Sequence, residues 1–239
     1  MSRSWTRCFW RRGGCGRKKV RNPRVTGVVL AAGPGRRFGP APKLLAPLEG
    51  KPLLARVLEL VERLPLAERV LVLGAHAQEI LAALFPGAFG ESAHASFLSL
   101  WGERAEVRGK YAWRILYNPD WPEGLGSSLR RAAEEVDAGM LVFLGDMPWV
   151  PEEAARAVLS RAGPHPVAPC FAGQRGFPVY LPASLRPKLL ALRGDVGARA
   201  LLSDCELIPW DDPGVILDVD RREDLQGGEA LCGCARSPR

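Results

Sequence analysis

The 239-residue chain carries a formal charge of +7, with 47% hydrophobic and 25% charged residues. That composition excludes whole-chain disorder, a collagen-like repeat and a coiled coil, and no apolar run approaches the ~18 residues of a membrane span. The positive charge belongs to one end: residues 1–24 hold nine of the 33 Lys and Arg and no acid, leaving 24 basic against 26 acidic residues over the other 215.

In chain order, that leader comes first. Arg11-Arg12 is followed by Gly-Gly-Cys and not by an apolar stretch, so no export signal is expected and the cytoplasm is the predicted compartment. Its low apolar content predicts a solvated, disordered extension, and nucleic acid is expected as a partner only through its cations. Six residues separate Cys8 from Cys15 and one separates Cys232 from Cys234; neither pair has the C-x₂-C spacing of a zinc knuckle. Cys170 and Cys205 lie in apolar runs and read as core thiols.

From Val25 onward apolar runs alternate with helical patterns. Residues 25–32, 69–73, 113–117 and 140–144 are apolar on both faces and bounded by Gly, Asn or Asp, which predicts buried strands. Residues 52–64 place Leu53, Leu54, Val57, Leu58, Val61 and Leu64 on one stripe, which predicts a helix opened by Pro52. Further helices are expected over 77–85, 127–136 and 151–161, and a last apolar strand over 215–219. Residues 86–112 show no period and read as an insertion loop, and 227–239 as a flexible tail. Strand-helix alternation predicts a single α/β domain over 25–226. Its ligands would sit at the carboxyl ends of the strands.

The loop after the first strand, LAAGPGRRFGPAPKLL over 30–45, carries most of the functional information. Its glycines let backbone N–H groups converge on an anion, and Arg36, Arg37 and Lys43 add cations. It is not a Walker loop, because Pro40 follows Gly39 and Leu44 follows Lys43. It also fails the dinucleotide pattern G-x-G-x-x-G at Phe38, which disfavours a Rossmann hydride enzyme. Downstream, GDMP over 145–148 places Asp146 at the edge of a strand, where a carboxylate suits Mg²⁺; a helix N-cap is the rival role. Asp218 and Asp220, two apart on the expected strand, would face one side of the sheet, with capping or solvated edge charge as the alternative. Ser127 and Ser128 open the helix expected over 127–136 and read as N-caps, or as donors to an anion at its N-terminus. His76 and His165 have no triad partner near them in sequence.

The 30–45 loop resembles the L-A-A-G-x-x-x-R-x-G-x-x-K signature of the MobA/MocA-like nucleotidyltransferases, and most nearly their molybdenum cofactor cytidylyltransferases. The NPDWPEGLGSSL run over 118–129, GDMP over 145–148, GQRGFP over 173–178 and RGDVGAR over 193–199 follow in the family's order. The resemblance implies a Rossmann-like, doubly wound, mostly parallel sheet with helices on both faces. It implies Mg²⁺-dependent transfer of CMP from CTP to the phosphate of a molybdopterin-type acceptor, with pyrophosphate released. Guanylyl transfer, another phosphorylated acceptor, or a nucleotide-binding maturation factor without chemistry are the alternatives. Carried over, Leu30, Ala31, Ala32, Gly33, Gly35, Arg37, Lys43, Gly124, Ser127 and Ser128 hold the nucleotide. Lys43, Arg37 and Asp146 are catalytic, and Asp146 and Asp220 hold the metal, with Asp218 as fallback for Asp220. Arg175, Phe177, Asp195 and Arg199 lie on the acceptor side, with helix-end contacts as the alternative for Arg175, Asp195 and Arg199, and an N-cap for Asp195 above all. Phe177 stands where the family has histidine, which removes a polar contact there. Ala32, where guanylyl-transferring relatives tend to have glycine, tilts the base toward cytosine. A molybdoenzyme or its chaperone is the implied protein partner.

Overall fold

The computed structural model describes residues 24–86, 105–108, 112–193 and 201–226, with 105–108 and 112 described by their backbone. The leader before Arg24, the 227–239 tail and the four flanking cysteines lie outside these residues. In chain order the strands are β1 Val25–Ala31, β2 Pro47–Leu48, β3 Lys51–Pro52, β4 Glu68–Leu73, β5 Ala105–Arg108, β6 Ala112–Tyr117, β7 Gly139–Leu144, β8 Val167–Phe171, β9 Gln174–Arg175, β10 Val179–Leu181 and β11 Glu206–Pro209. The helices are α1 Leu53–Glu62, α2 Ala77–Leu84, α3 Leu125–Glu135, α4 Glu152–Ser160 and α5 Arg186–Leu190.

The main sheet runs β11-β8-β10-β7-β1-β4-β6-β5, with β9 paired to β8. β1 lies at its centre, parallel to β4 and β7, and all seven of its residues are buried. A strand covered on both faces has no reason to alternate polar with apolar, which is why VTGVVLA carries no polar face. Its side chains still alternate in direction. Val25, Val29 and Ala31 join the core under α1, α2 and α4, while Val28 and Leu30 join the core under α3 and α5. Helices therefore cover both faces of the expected doubly wound, mostly parallel sheet. No helix among the described residues is long and apolar enough to cross a membrane.

After β6 the chain returns past β1 to form β7, so the order of strands reverses between β1 and β7. At such a point the connections leave in opposite directions and open a crevice at the strands' carboxyl ends.

Two expectations fail. Residues 215–219 are not a strand: a 3-10 turn spans Pro213–Val215, and residues 217–220 run on without ladder pairing. The turn forms because the Asp212 carboxylate accepts from the Gly214 N–H at 2.7 Å and Pro213 has no N–H to give a ladder. The 86–112 segment is not wholly loop, since β5 pairs antiparallel with β6. Ala-Glu-Val-Arg hid this strand because a short, charged sequence is how a sheet edge is kept from pairing further.

Candidate functional site

A cleft of about 480 Å³ opens at the carboxyl ends of β1 and β7. Residues 30–37, Lys43 and Leu44 form one side and Trp121, Pro122, Gly124, Leu125 and Ser128 another, with Leu144, Asp146 and Asp220 between them. Of the residues expected at the nucleotide, all except Ser127 line this space.

The loop is held in place by close backbone approach. A Cβ on Gly74 would lie 2.6 Å from the Ala32 carbonyl oxygen, and the Ala75 N–H donates to that oxygen at 3.1 Å. Gly35 is needed twice over: its φ of +61° is left-handed, and a Cβ there would come within 2.9 Å of Lys43 Cβ. At Gly33 a Cβ would meet nothing within 4 Å, so the protein itself does not require glycine there; the free space belongs to the cleft.

Lys43 is the electrostatic centre. Its side chain is 10% exposed, and its Nζ donates to Asp146 Oδ2 at 2.7 Å and lies 3.6 Å from Asp220 Oδ1. Arg37 pairs with Asp220 Oδ2 at 2.7 Å, but its side chain is 70% exposed, so water screens most of that attraction. Oxygens of Asp146, Asp218 and Asp220 all lie within 4.8 Å of one another. Asp218, expected only as a fallback, thus joins the other two acids. Its carboxyl is raised above the ordinary range, first because neighbouring protein displaces water from it and then because Asp146 and Asp220 are close. The residue as a whole remains exposed, so this desolvation is local to the carboxyl. Three carboxylates this close are a hard-oxygen donor set of the kind a divalent cation takes, and they fit such an ion.

The acids converge from two distant parts of the chain for a traceable reason. Gly145 donates to the Leu30 carbonyl at 2.9 Å, extending the β7–β1 pairing by one residue and setting Asp146 over the loop. The Val219 N–H donates to the Asp146 carbonyl at 3.0 Å, which binds the 218–220 segment to the end of β7. Phe38 and Val219 are then buried in one small cluster with Leu48 and Leu53. Arg222 crosses the Phe38 ring at 5.6 Å, a cation–π contact. Phe38 marked the failure of the dinucleotide pattern in the sequence; in the fold it fastens the glycine loop to the acidic segment. The Asp224 carboxylate accepts from the N–H groups of Asp220 and Arg221 at 2.8 and 2.6 Å. Those two bonds, the one from Arg221 first, hold its carboxyl below the ordinary range.

The serines differ from expectation. α3 begins at Leu125, its N-cap is Gly124 and no side chain caps it, so neither Ser127 nor Ser128 is an N-cap. Ser127 donates to the Gly124 carbonyl at 2.8 Å. Buried Asn118 donates to both hydroxyls, at 2.8 and 3.1 Å. Asn118 thereby fixes the 118–128 turn, with Ser128 at the cleft wall and Ser127 behind it. Sequence reasoning missed this, although Asn118 opened the NPDW run. Asp146 caps no helix: the residue before α4 is Pro151. His76 precedes α2 and pairs with Glu79, away from the cleft lining. Cys170 and Cys205 are half-buried; Cys205 packs against the core under α3 and α5, and Cys170 lies in β8. On the acceptor side, Arg175 and Phe177 line an adjoining cavity, while Asp195 and Arg199 lie outside the described residues.

The family described as MobA-like NTP transferase domain matches residues 27–208. Over 218 residues the chain is 31% identical to nicotine blue oxidoreductase of Paenarthrobacter nicotinovorans, covering 85% of this chain and 95% of that protein. It is 28% identical to purine catabolism protein PucB of Bacillus subtilis strain 168, covering 86% and 96%. Among solved structures, Rv0371c of Mycobacterium tuberculosis H37Rv in complex with manganese superposes with a TM-score of 0.62 at 23% identity, covering 86% of this chain and 97% of that one. At that identity the likeness is one of fold.

Proposed function

The chain belongs to the MobA-like NTP transferase family, and on that premise we propose that it is a divalent-metal-dependent nucleotidyltransferase, passing a nucleoside monophosphate from an NTP to a phosphate on a second substrate. The observation that carries this reading is the convergence of Lys43, Asp146 and Asp220 on one cleft beside a glycine loop with room for phosphate. An acceptor phosphate oxygen attacks the α-phosphorus in line and pyrophosphate leaves, so the chain needs no nucleophile of its own. Positioning and charge neutralisation then supply the rate. The amides of the 33–37 loop and Arg37 hold the leaving phosphates, and Lys43 turns from Asp146 toward the α-phosphoryl oxygens. Asp146 and Asp220, with Asp218 beside them, would hold Mg²⁺, which supplies Lewis-acid stabilisation of the growing negative charge. Manganese bound to a protein of the same fold supports a divalent cation of this size.

Support for CTP and a molybdopterin-type acceptor comes from the motifs: Ala32 in the loop, and the ordered GDMP, NPDW and GDVGAR runs. Pyrophosphate release measured with each of the four NTPs and Mg²⁺, with and without molybdopterin, tests both levels. Release with CTP that depends on molybdopterin is the expected result. Release with GTP in place of CTP corrects the base, and release dependent on another phosphate ester corrects the acceptor. No release with any NTP, while nucleotide still binds, supports a maturation factor in place of an enzyme.

A second reading rests on the 31% identity to a protein named an oxidoreductase. The same amide-lined loop would then hold the pyrophosphate of a dinucleotide, despite the failed G-x-G-x-x-G pattern. NADH or NADPH consumption with a dye acceptor, in the absence of any NTP, separates it from nucleotidyl transfer.

A further inference from the structure

The acids that fit a dication are held by cations of the chain itself. Lys43 Nζ donates to Asp146 Oδ2 at 2.7 Å and lies 3.6 Å from Asp220 Oδ1, while Arg37 pairs with Asp220 Oδ2 at 2.7 Å. Asp146 and Asp220 are thus matched charge for charge. The two cations are not equivalent. Arg37 is 70% exposed and screened by water, whereas the Lys43 side chain is 10% exposed, so its charge acts on a neighbouring ion with little screening. A dication entering among Asp146, Asp218 and Asp220 meets the repulsion of that ammonium as well as the attraction of the carboxylates.

The Lys43 stem defines what can move. Leu44 beside it is buried in the core, and the Lys43 carbonyl accepts from the Ala46 N–H at 3.0 Å, which fixes the backbone. The side chain then runs past Gly35: a Cβ on that glycine would lie 2.9, 3.7 and 3.8 Å from Lys43 Cβ, Cδ and Cε. The stem therefore lies against the glycine loop and only the ammonium rests on the acids. Rotation about the last side-chain bonds moves the charge from Asp146 toward the loop while the stem stays in place.

We propose that Lys43 is an internal counter-ion that competes with the divalent cation in the free chain and yields to it when a polyphosphate draws the ammonium away, so that nucleotide and metal bind with positive coupling. Polyphosphate as the trigger rests on the nucleotidyl-transfer reading; the competition between Lys43 and the metal does not. The linkage is reciprocal, so the factor by which bound nucleotide tightens the metal is the factor by which bound metal tightens the nucleotide.

Mn²⁺ binding to the full chain, followed by loss of the free-ion EPR signal, tests this. Lys43→Met is expected to bind Mn²⁺ at least about tenfold more tightly than the parent, and Arg37→Gln, which removes a screened charge from the same acids, at most about threefold more tightly. With CTP bound, and the Mn²⁺–CTP complex allowed for, the Mn²⁺ affinity of the parent should rise about tenfold and that of Lys43→Met much less. Equal or weaker Mn²⁺ binding in folded Lys43→Met overturns the proposal, because Lys43 is then a support for the acids and not their competitor. An equal gain in Arg37→Gln, or bound CTP that leaves the Mn²⁺ affinity of the parent unchanged, overturns it too. Tighter Mn²⁺ binding by Lys43→Met in a chain that binds no NTP keeps the competition and removes nucleotidyl transfer, so the two failures are distinct. Should Lys43→Met fail to fold, the response of the parent to CTP decides.

Discussion

Asp146→Asn keeps the shape of the side chain and an oxygen that accepts from Lys43, but removes the charge. Lys43 loses an anionic partner at 2.7 Å and keeps Asp220 at 3.6 Å. With side chains 10% and 24% exposed, the pair is neither a surface bridge nor fully buried. Breaking a fully buried pair costs about 3–5 kcal/mol, and the remaining neighbour and the retained hydrogen bond reduce that to about 1–2 kcal/mol here. For a domain of this size the melting temperature should fall by about 3–6 °C. Turnover should fall further: losing one preorganised electrostatic group costs on the order of a hundredfold, equivalent to about 2.7 kcal/mol in the barrier. The assay is Mg²⁺-dependent pyrophosphate release at saturating NTP and acceptor, beside a thermal melt with and without Mg²⁺. The parent's melt should rise with Mg²⁺ and the variant's should rise less. Unchanged turnover at saturating Mg²⁺ would refute the role given to Asp146, whatever the melt does.

Three other outcomes follow from the same geometry. Gly33→Ala should leave stability within about 0.5 kcal/mol, because its Cβ meets no protein atom, yet raise KM for the NTP; Gly35→Ala should lower stability by about 1 kcal/mol or more, since it needs a left-handed φ. Equal effects of the two on chemical denaturation would contradict this division. Phe38→Ala should cost about 2–4 kcal/mol and lower NTP affinity together, because its cluster joins the loop to the acids; an undisturbed KM in that variant would mean the cluster does not position the site. Asp224→Ala should destabilise by about 1 kcal/mol near neutral pH. Because the folded carboxyl is held below its unfolded value, that stability is present above about pH 4 and disappears as pH falls through the lower folded value. Denaturation curves of parent and variant should therefore converge below about pH 4, and a gap that widened with acid would reverse the sign of the argument.

The parts of this protein that were readable in advance are those whose sequence reports burial. VTGVVLA and MLVFL announced central strands because both faces are covered, and the stripe over Leu53–Leu64 announced α1. Residues 215–219 looked similar but are not a strand, because the Pro213-Gly214 turn and the Val219 N–H bond to Asp146 divert them; an apolar run reports burial without saying what its backbone pairs with. The edge strand β5 failed for the opposite reason, since the short, charged Ala-Glu-Val-Arg offers no apolar run to announce it. In the site, glycines and cations pointed to the loop, and the family likeness pointed to Asp146 and Asp220. The contact between Lys43 and Asp146, 103 residues apart, has no local signature. Nor does the work of Asn118, whose two hydroxyl partners are fixed by how α3 begins.

The pairing of cations with carboxylates around Lys43 has a consequence for how the cleft meets a polyphosphate. Arg36, Arg37 and Lys43 bring three positive charges to the cleft lining, Asp146 and Asp220 bring two negative ones, and Asp218 stands beside them, so the mouth presents little net field to a distant anion. Capture from bulk solution is then weakly accelerated by charge and should respond little to added salt, unlike a site built as a cationic funnel. The selectivity begins at contact. A triphosphate arriving with its own dication delivers counter-charges to both halves of the ion-pair set at once, whereas a bare one satisfies the arginines and lysine and leaves three carboxylates facing each other.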